Sequence, residues 1–72
     1  MPEEVVIIFT STHDVIKAKS ELEKASITYE LIPTPKEISS ECGMSLRIEK
    51  PVLNMALEIF RSNGVRYRND LL

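Results

Sequence analysis

Residues 27–48 read Ile27-Thr28-Tyr29-Glu30-Leu31-Ile32-Pro33-Thr34-Pro35-Lys36-Glu37-Ile38-Ser39-Ser40-Glu41-Cys42-Gly43-Met44-Ser45-Leu46-Arg47-Ile48. The two ends of this stretch alternate apolar and polar residues and the middle does not. Side chains along a strand point to opposite faces in turn, so each end predicts a half-buried strand. Ile27, Tyr29 and Leu31 would face the core from the first, and Met44, Leu46 and Ile48 from the second. Pro33 and Pro35 each lack an N–H and hold φ fixed, which excludes a helix interior or a central strand between them. Ile32 to Gly43 is therefore a loop. It is long for so short a chain, and long loops in compact domains tend to carry function. It presents Cys42, the only cysteine of the chain. Gly43 follows, and we expect it to take a positive φ or to let a backbone approach closely, since both need a missing Cβ.

Upstream of this stretch, Val5 to Phe9 reads as a central strand, apolar on both faces. Ser11 with Asp14 three residues later makes a capping box, Asp standing in for the usual Glu. A helix is expected from there to about Ala25. Its apolar stripe is Val15, Ala18, Leu22 and Ala25, with Ile16 beside it. Lys17, Lys19, Glu21, Glu23 and Lys24 form its solvated side. Downstream, Pro51 suits the first turn of a second helix with Val52, Leu53, Ala56, Leu57 and Phe60 inward. Ser62-Asn63-Gly64 ends it, with Gly64 as a left-handed cap. Val65 to Arg68 alternates as a last strand.

The order is βαββαβ, which predicts an α+β fold. The expected form is the ferredoxin-like sandwich, a four-stranded antiparallel sheet with two helices on one face. In that topology the exits of the first two strands share one end of the molecule. The start of the first helix and the Asn63-Gly64 turn lie there too, so Cys42 is expected beside them.

The 72 residues form a single domain, 1–72, with no linker or low-complexity tract. A net charge of -2 argues against a nucleic-acid module, which needs a basic patch to neutralise phosphates. Met1-Pro2-Glu3-Glu4 followed by five apolar residues is neither a signal peptide nor a membrane span, which points to a cytoplasmic protein. A lone cysteine forms no internal disulfide, and one cysteine with one histidine is too few for a structural zinc site. No cofactor is implied.

Two readings of Cys42 stand at this point. A thiol beside a glycine and near a helix N-terminus sits where its pKa is lowered, as a nucleophile or sulfur carrier requires. Alternatively it is a small loop residue packed for its size. His13 is either a thiolate partner or a solvated residue of the first helical turn. Ser11 and Thr12 are caps before they are catalysts. Ser39 and Ser40 bond to the loop backbone or donate to a bound anion. Pro33 and Pro35 shape the loop, and Lys36 offers a charge to an anionic substrate. Val6 and Ile8, on the outer face of the first strand, form a small apolar patch suited to a homodimer.

Phe9, Ser11-Thr12-His13, Ile32-Pro33-Thr34-Pro35, Ile38-Ser39-Ser40 and Cys42-Gly43 together resemble a family. It is the selenium/sulfur carrier-like small proteins, formerly a domain of unknown function. The resemblance covers nearly the whole chain, and the proline-rich loop ending in Ser-Ser-x-Cys-Gly is its most specific part. It maps the family's motif cysteine onto Cys42 and its glycine onto Gly43. Lys36 stands where arginine is common, keeping the charge without the bidentate fork. Glu41 stands where a small residue or Asp/Asn is common. The resemblance implies a carrier of sulfane sulfur or selenium, with donor and acceptor proteins as partners, rather than a self-sufficient enzyme. The competing readings are a ligand- or protein-binding regulatory module with an incidental cysteine, and a small thiol enzyme using His13 as base.

Overall fold

The computed structural model describes residues 3–38 and 43–68. Alternation in Met44-Ser45-Leu46-Arg47-Ile48 becomes strand β3, Met44–Glu49, which takes the middle of a three-stranded antiparallel sheet. β1, Glu4–Ile8, lies on one side of it and β2, Glu30–Pro33, on the other. The register sets Ile7 and Leu31 opposite Leu46, and Ile8 and Ile32 opposite Ser45. Helix α1 spans Thr12–Lys24, with Ser11 as its cap. A 3-10 turn at Lys50–Val52, carrying Pro51, leads into helix α2, Leu53–Ser62.

One sheet face gathers the core. Ile7, Phe9, Leu46 and Ile48 pack with Val15, Ala18 and Leu22 of α1 and with Ala56 and Phe60 of α2. Phe9 and Phe60 meet edge to face, 5.6 Å between ring centres, the arrangement ring quadrupoles favour. The second helix closes as expected. Gly64 has φ +72, its N–H points to the Arg61 carbonyl, and the Val65 N–H reaches the Phe60 carbonyl at 2.9 Å. This is a Schellman cap, with Val65 and Phe60 as its buried apolar pair.

Several expectations fail, each for a local reason. β2 starts at Glu30 and not at Ile27, because Ile27 serves the end of α1. Its N–H bonds the Leu22 carbonyl at 2.9 Å, after Ser26 turns the chain at φ 58. Ala25 is the exposed C-cap and leaves the apolar stripe, and Ile16 is exposed too. Leu31 sits opposite Leu46 but on the outer strand, and stays 43% exposed.

The four-stranded ferredoxin-like sheet is reduced to three strands among the described residues. Residues 66–68 do run antiparallel to the end of β1. They make a single bridge, Phe9 to Tyr67, flanked by Thr10 N–H to Arg66 O and Arg68 N–H to Ile8 O. On the Arg66 side the pairing ends there, because the Arg66 N–H donates to the Asp14 carboxylate at 3.1 Å; beyond Arg68 it would run into residues outside those described.

The other sheet face is polar at one end. Arg47 pairs with Glu4 and Glu30 from the flanking strands. At the opposite end Ser45 and Ile8 are buried, Ile8 at 2% exposure within one chain. The Val6–Ile8 patch expected to support a homodimer is thereby missing half of its surface.

Candidate functional site

Three segments converge where β1 and β2 leave the sheet and β3 enters it. Pro33 pairs with Met44, the last rung of β2 on β3. Beyond it the Thr34 N–H donates to the Gly43 carbonyl at 3.0 Å. Beneath that bond the Thr34 and Ser45 hydroxyls meet at 2.7 Å, Ser45 being fully buried. These contacts draw the two ends of the proline-rich loop together. Inside the loop, Ile38 N–H closes a turn onto the Pro35 carbonyl at 3.1 Å. Pro35 and Ile38 are half-buried, and Lys36 and Glu37 are exposed at the turn. Ser39, Ser40, Glu41 and Cys42 lie outside the described residues, and with them any contact between Cys42 and His13.

Gly43 does not take the expected positive φ. It is exposed, its φ is outside the left-handed region, and none of the described residues lies within 4 Å of where a Cβ would stand. No strained turn holds it, and no close approach comes from the described residues. Its contribution to the site is the carbonyl that fastens the loop.

At the start of α1 Ser11 caps the helix as expected, while Asp14 pairs with the Ser11 hydroxyl and not with its backbone N–H as a full capping box would. Asp14 N–H donates to Ser11 Oγ at 3.3 Å, and Ser11 Oγ–H donates to Asp14 Oδ2 at 2.8 Å. Thr12 and His13 are exposed in this first turn. Asp14 itself is 3% exposed. It accepts the Arg66 N–H through Oδ1, and the Arg66 guanidinium stands 3.6 Å from Oδ2. Burial pushes its carboxyl up. The Ser11 hydroxyl, the Arg66 N–H, the Arg66 charge and His13 together outweigh burial and hold it below its ordinary value. The helix start is thus already tied to an anion, its own Asp14, which also anchors the chain after α2.

The fold therefore brings Ser11, Thr12 and His13 to the sheet end that carries Pro33, Thr34 and Gly43. Asp14, Thr34 and Ser45 are the residues whose roles the sequence reading missed. Asp14 was visible as the fourth residue of Ser11-x-x-Asp14, but nothing in that pattern foretold Arg66 as a partner. Among the described residues no group of three or more His, Cys, Asp or Glu is placed to hold a metal. No helix is long and apolar enough to cross a membrane.

A family model described as "Putative Se/S carrier protein-like" matches residues 4–69. The chain belongs to this family. No curated protein and no solved structure matches the chain. The match to the Se/S carrier-like family runs from β1 to just past the Tyr67 bridge. It thus takes in the cap at Ser11, the loop fastened by Thr34 and Gly43, and the segment tied to Asp14.

Proposed function

We propose that this Se/S carrier-like protein carries a sulfane sulfur or selenium atom on Cys42 and hands it to a partner protein. The observation that carries this reading is the family match over residues 4–69, which includes Cys42. The geometry agrees with it. A carrier needs its cargo on a segment that two successive partners can reach, and needs that segment attached at a defined place. Residue 42 precedes a glycine whose carbonyl is bonded to Thr34 at the end of the sheet.

The chemistry is thiolate exchange with no net redox change. The Cys42 thiolate attacks the outer sulfur of a donor persulfide, R–S–SH. A bond forms between Cys42 Sγ and that sulfur, the donor's S–S bond breaks, and R–S⁻ leaves with the electron pair. An acceptor thiolate then takes the outer sulfur in the same way and returns the Cys42 thiolate. A selenium atom bound as a selenosulfide would pass by the same exchange. Lys36 would draw an anionic donor. His13 would favour the thiolate when protonated. Ser39 and Ser40 would donate to the anion, and Ser11, Thr12, Pro33, Pro35 and Gly43 would shape the approach. A cytoplasmic setting, where thiols stay reduced, suits such a carrier. The finer fold reading, a ferredoxin-like sheet with Val65–Arg68 as its fourth strand, draws support from the Phe9–Tyr67 bridge.

The test is intact-mass spectrometry of the full chain recovered from its host and after incubation with a donor persulfide. The carrier reading expects the mass of one added sulfur or selenium atom, removed by a reducing thiol and absent from Cys42→Ser. An unmodified mass under both conditions overturns it and leaves the binding module.

A further inference from the structure

Ion pairing divides the cations of this chain by position. Among the described residues, Lys19, Lys24, Arg47 and Lys50 each face a glutamate, and Arg66 faces Asp14. Lys17, Lys36 and Arg61 have no carboxylate partner there. All three belong to the end where β1 and β2 leave the sheet. Lys36 is at the exposed turn of the loop. Lys17 lies in α1 with Nζ 4.0 Å from where a Gly64 Cβ would stand. Arg61 is in the last turn of α2, its carbonyl facing the Gly64 N–H. Arg66 follows two residues after Gly64, its side chain 72% exposed beyond Asp14.

The described carboxylates of this end are the buried Asp14, already held by Ser11 and Arg66, the exposed Glu37, and the exposed Glu58 one turn before Arg61 in α2. The opposite end carries Glu3, Glu4, Glu30 and Glu49. The result is a cationic face on an acidic chain of net charge -2. Among the described residues these side chains have no carboxylate partner, and such fields steer encounter with a surface of opposite charge.

We propose that Lys17 and Arg61, flanked by Lys36 and Arg66, form a docking face for an acidic patch on a partner protein. An acidic protein fits better than a nucleic acid. Three cations neutralise too few phosphates for useful nucleic-acid binding, whereas a short acidic patch needs only a few pairs. The face stands on the described residues alone. Only its use in cargo exchange rests on the carrier reading, since it lies at the end that bears the Cys42 loop.

The experiment titrates the nitrogen-15-labelled full chain at low salt with a dodecapeptide made only of Asp and Glu, and in a second arm with single-stranded RNA of equal length. Docking predicts amide shifts centred on Lys17, Arg61, Gly64 and Arg66, fading as salt is raised. Lys17→Glu and Arg61→Glu each weaken peptide binding by about two- to five-fold, as exposed pairs do. Lys24→Glu, at the other end, leaves it unchanged. Lys17→Gln and Arg61→Gln weaken it less and serve wherever a reversal disturbs the spectrum. Cys42→Ser binds fully, so a carrier that fails to load leaves this result standing. The proposal is overturned by no shifts, by shifts centred elsewhere, by equal losses in Lys24→Glu, or by tighter binding of RNA. Shifts on the same face that grow with protein concentration alone also overturn it, since a second copy would then be the occupant.

Discussion

Replacing Asp14 with alanine tests the junction that holds the site end together. The side chain is 3% exposed and serves two partners, Ser11 Oγ and the Arg66 N–H. Alanine leaves the part-buried Arg66 N–H without an acceptor, which costs about 1–3 kcal/mol. The ion pair with the exposed Arg66 guanidinium adds about 0–1 kcal/mol. Ser11 Oγ still accepts the backbone N–H of position 14, so most of the cap survives. Relief of the carboxylate's own burial offsets part of the loss. The expected cost is about 2 kcal/mol, a shift of about 2 M in urea midpoint for a domain of this size. Hydrogen exchange should report the Arg66 amide losing protection first.

Asp14→Asn separates charge from shape, because Oδ1 can still accept from Arg66. The folded carboxyl is held below its ordinary value of 3.8, so the carboxylate's contribution is fully present above that value. It is lost as pH falls through the lower folded value. The stability gap between wild type and Asp14→Asn should therefore close in acid and hold steady at neutral pH. A midpoint shift for Asp14→Ala below about 0.5 M, or an Asn gap that widens in acid, would refute the reasoning.

Ser26 holds φ 58 without being glycine, so Ser26→Gly should stabilise by about 0.5–1 kcal/mol in urea unfolding; a loss would mean the serine side chain has a role of its own. Gly43→Ala should change stability by less than about 0.5 kcal/mol and leave cargo loading intact, and a large loss in either would restore a conformational role for that glycine. Leu46→Ala, at the centre of the core, should cost about 2–5 kcal/mol. Arg47→Ala should cost about 1 kcal/mol by chemical denaturation, because Glu4 and Glu30 then share a sheet face without a cation between them; equal effects at 46 and 47 would mean the faces are misassigned.

Periodicity made the elements legible. Helix α1 was readable from Ser11 to Ala25 because its cap, its stripe and its solvated face all gave the same answer. The second helix was readable from Pro51 to Gly64 for the same reason. Alternation in Met44 to Ile48 gave the right face for β3. It misled at Ile27, where an apolar residue two positions before Tyr29 looked like a strand but completes a helix cap. A Schellman cap with serine at the left-handed position carries no glycine to announce it. Among the described residues the fourth strand amounts to a single bridge, for a related reason. Alternation in Val65 to Arg68 is real, with Val65 buried and Arg66 exposed, but a strand also needs its backbone donors free for a neighbour. The side chain that takes the Arg66 donor lies 52 residues away, beyond the reach of any local pattern.

That same contact changes what the helix start can do for Cys42. Read as sequence, the first turn of α1 offers unpaired N–H groups and partial positive charge to a nearby thiolate. In the structure Ser11 takes one of these N–H groups, and Asp14 sets a full negative charge at the turn. A buried carboxylate opposes a second anion beside it, and the opposition is lessened only as far as Arg66 neutralises Asp14. The positive field at this end of the molecule therefore comes from exposed side chains, Lys17, Lys36 and Arg61, more than from the helix. Such a field is screened by salt, reaches outward, and acts on what approaches the loop. A self-sufficient thiol enzyme needs its cysteine activated from within. A carrier, the function proposed for this chain, needs a thiol that a partner can find and engage, and a field of exposed cations beside the loop would help a partner of opposite charge reach it.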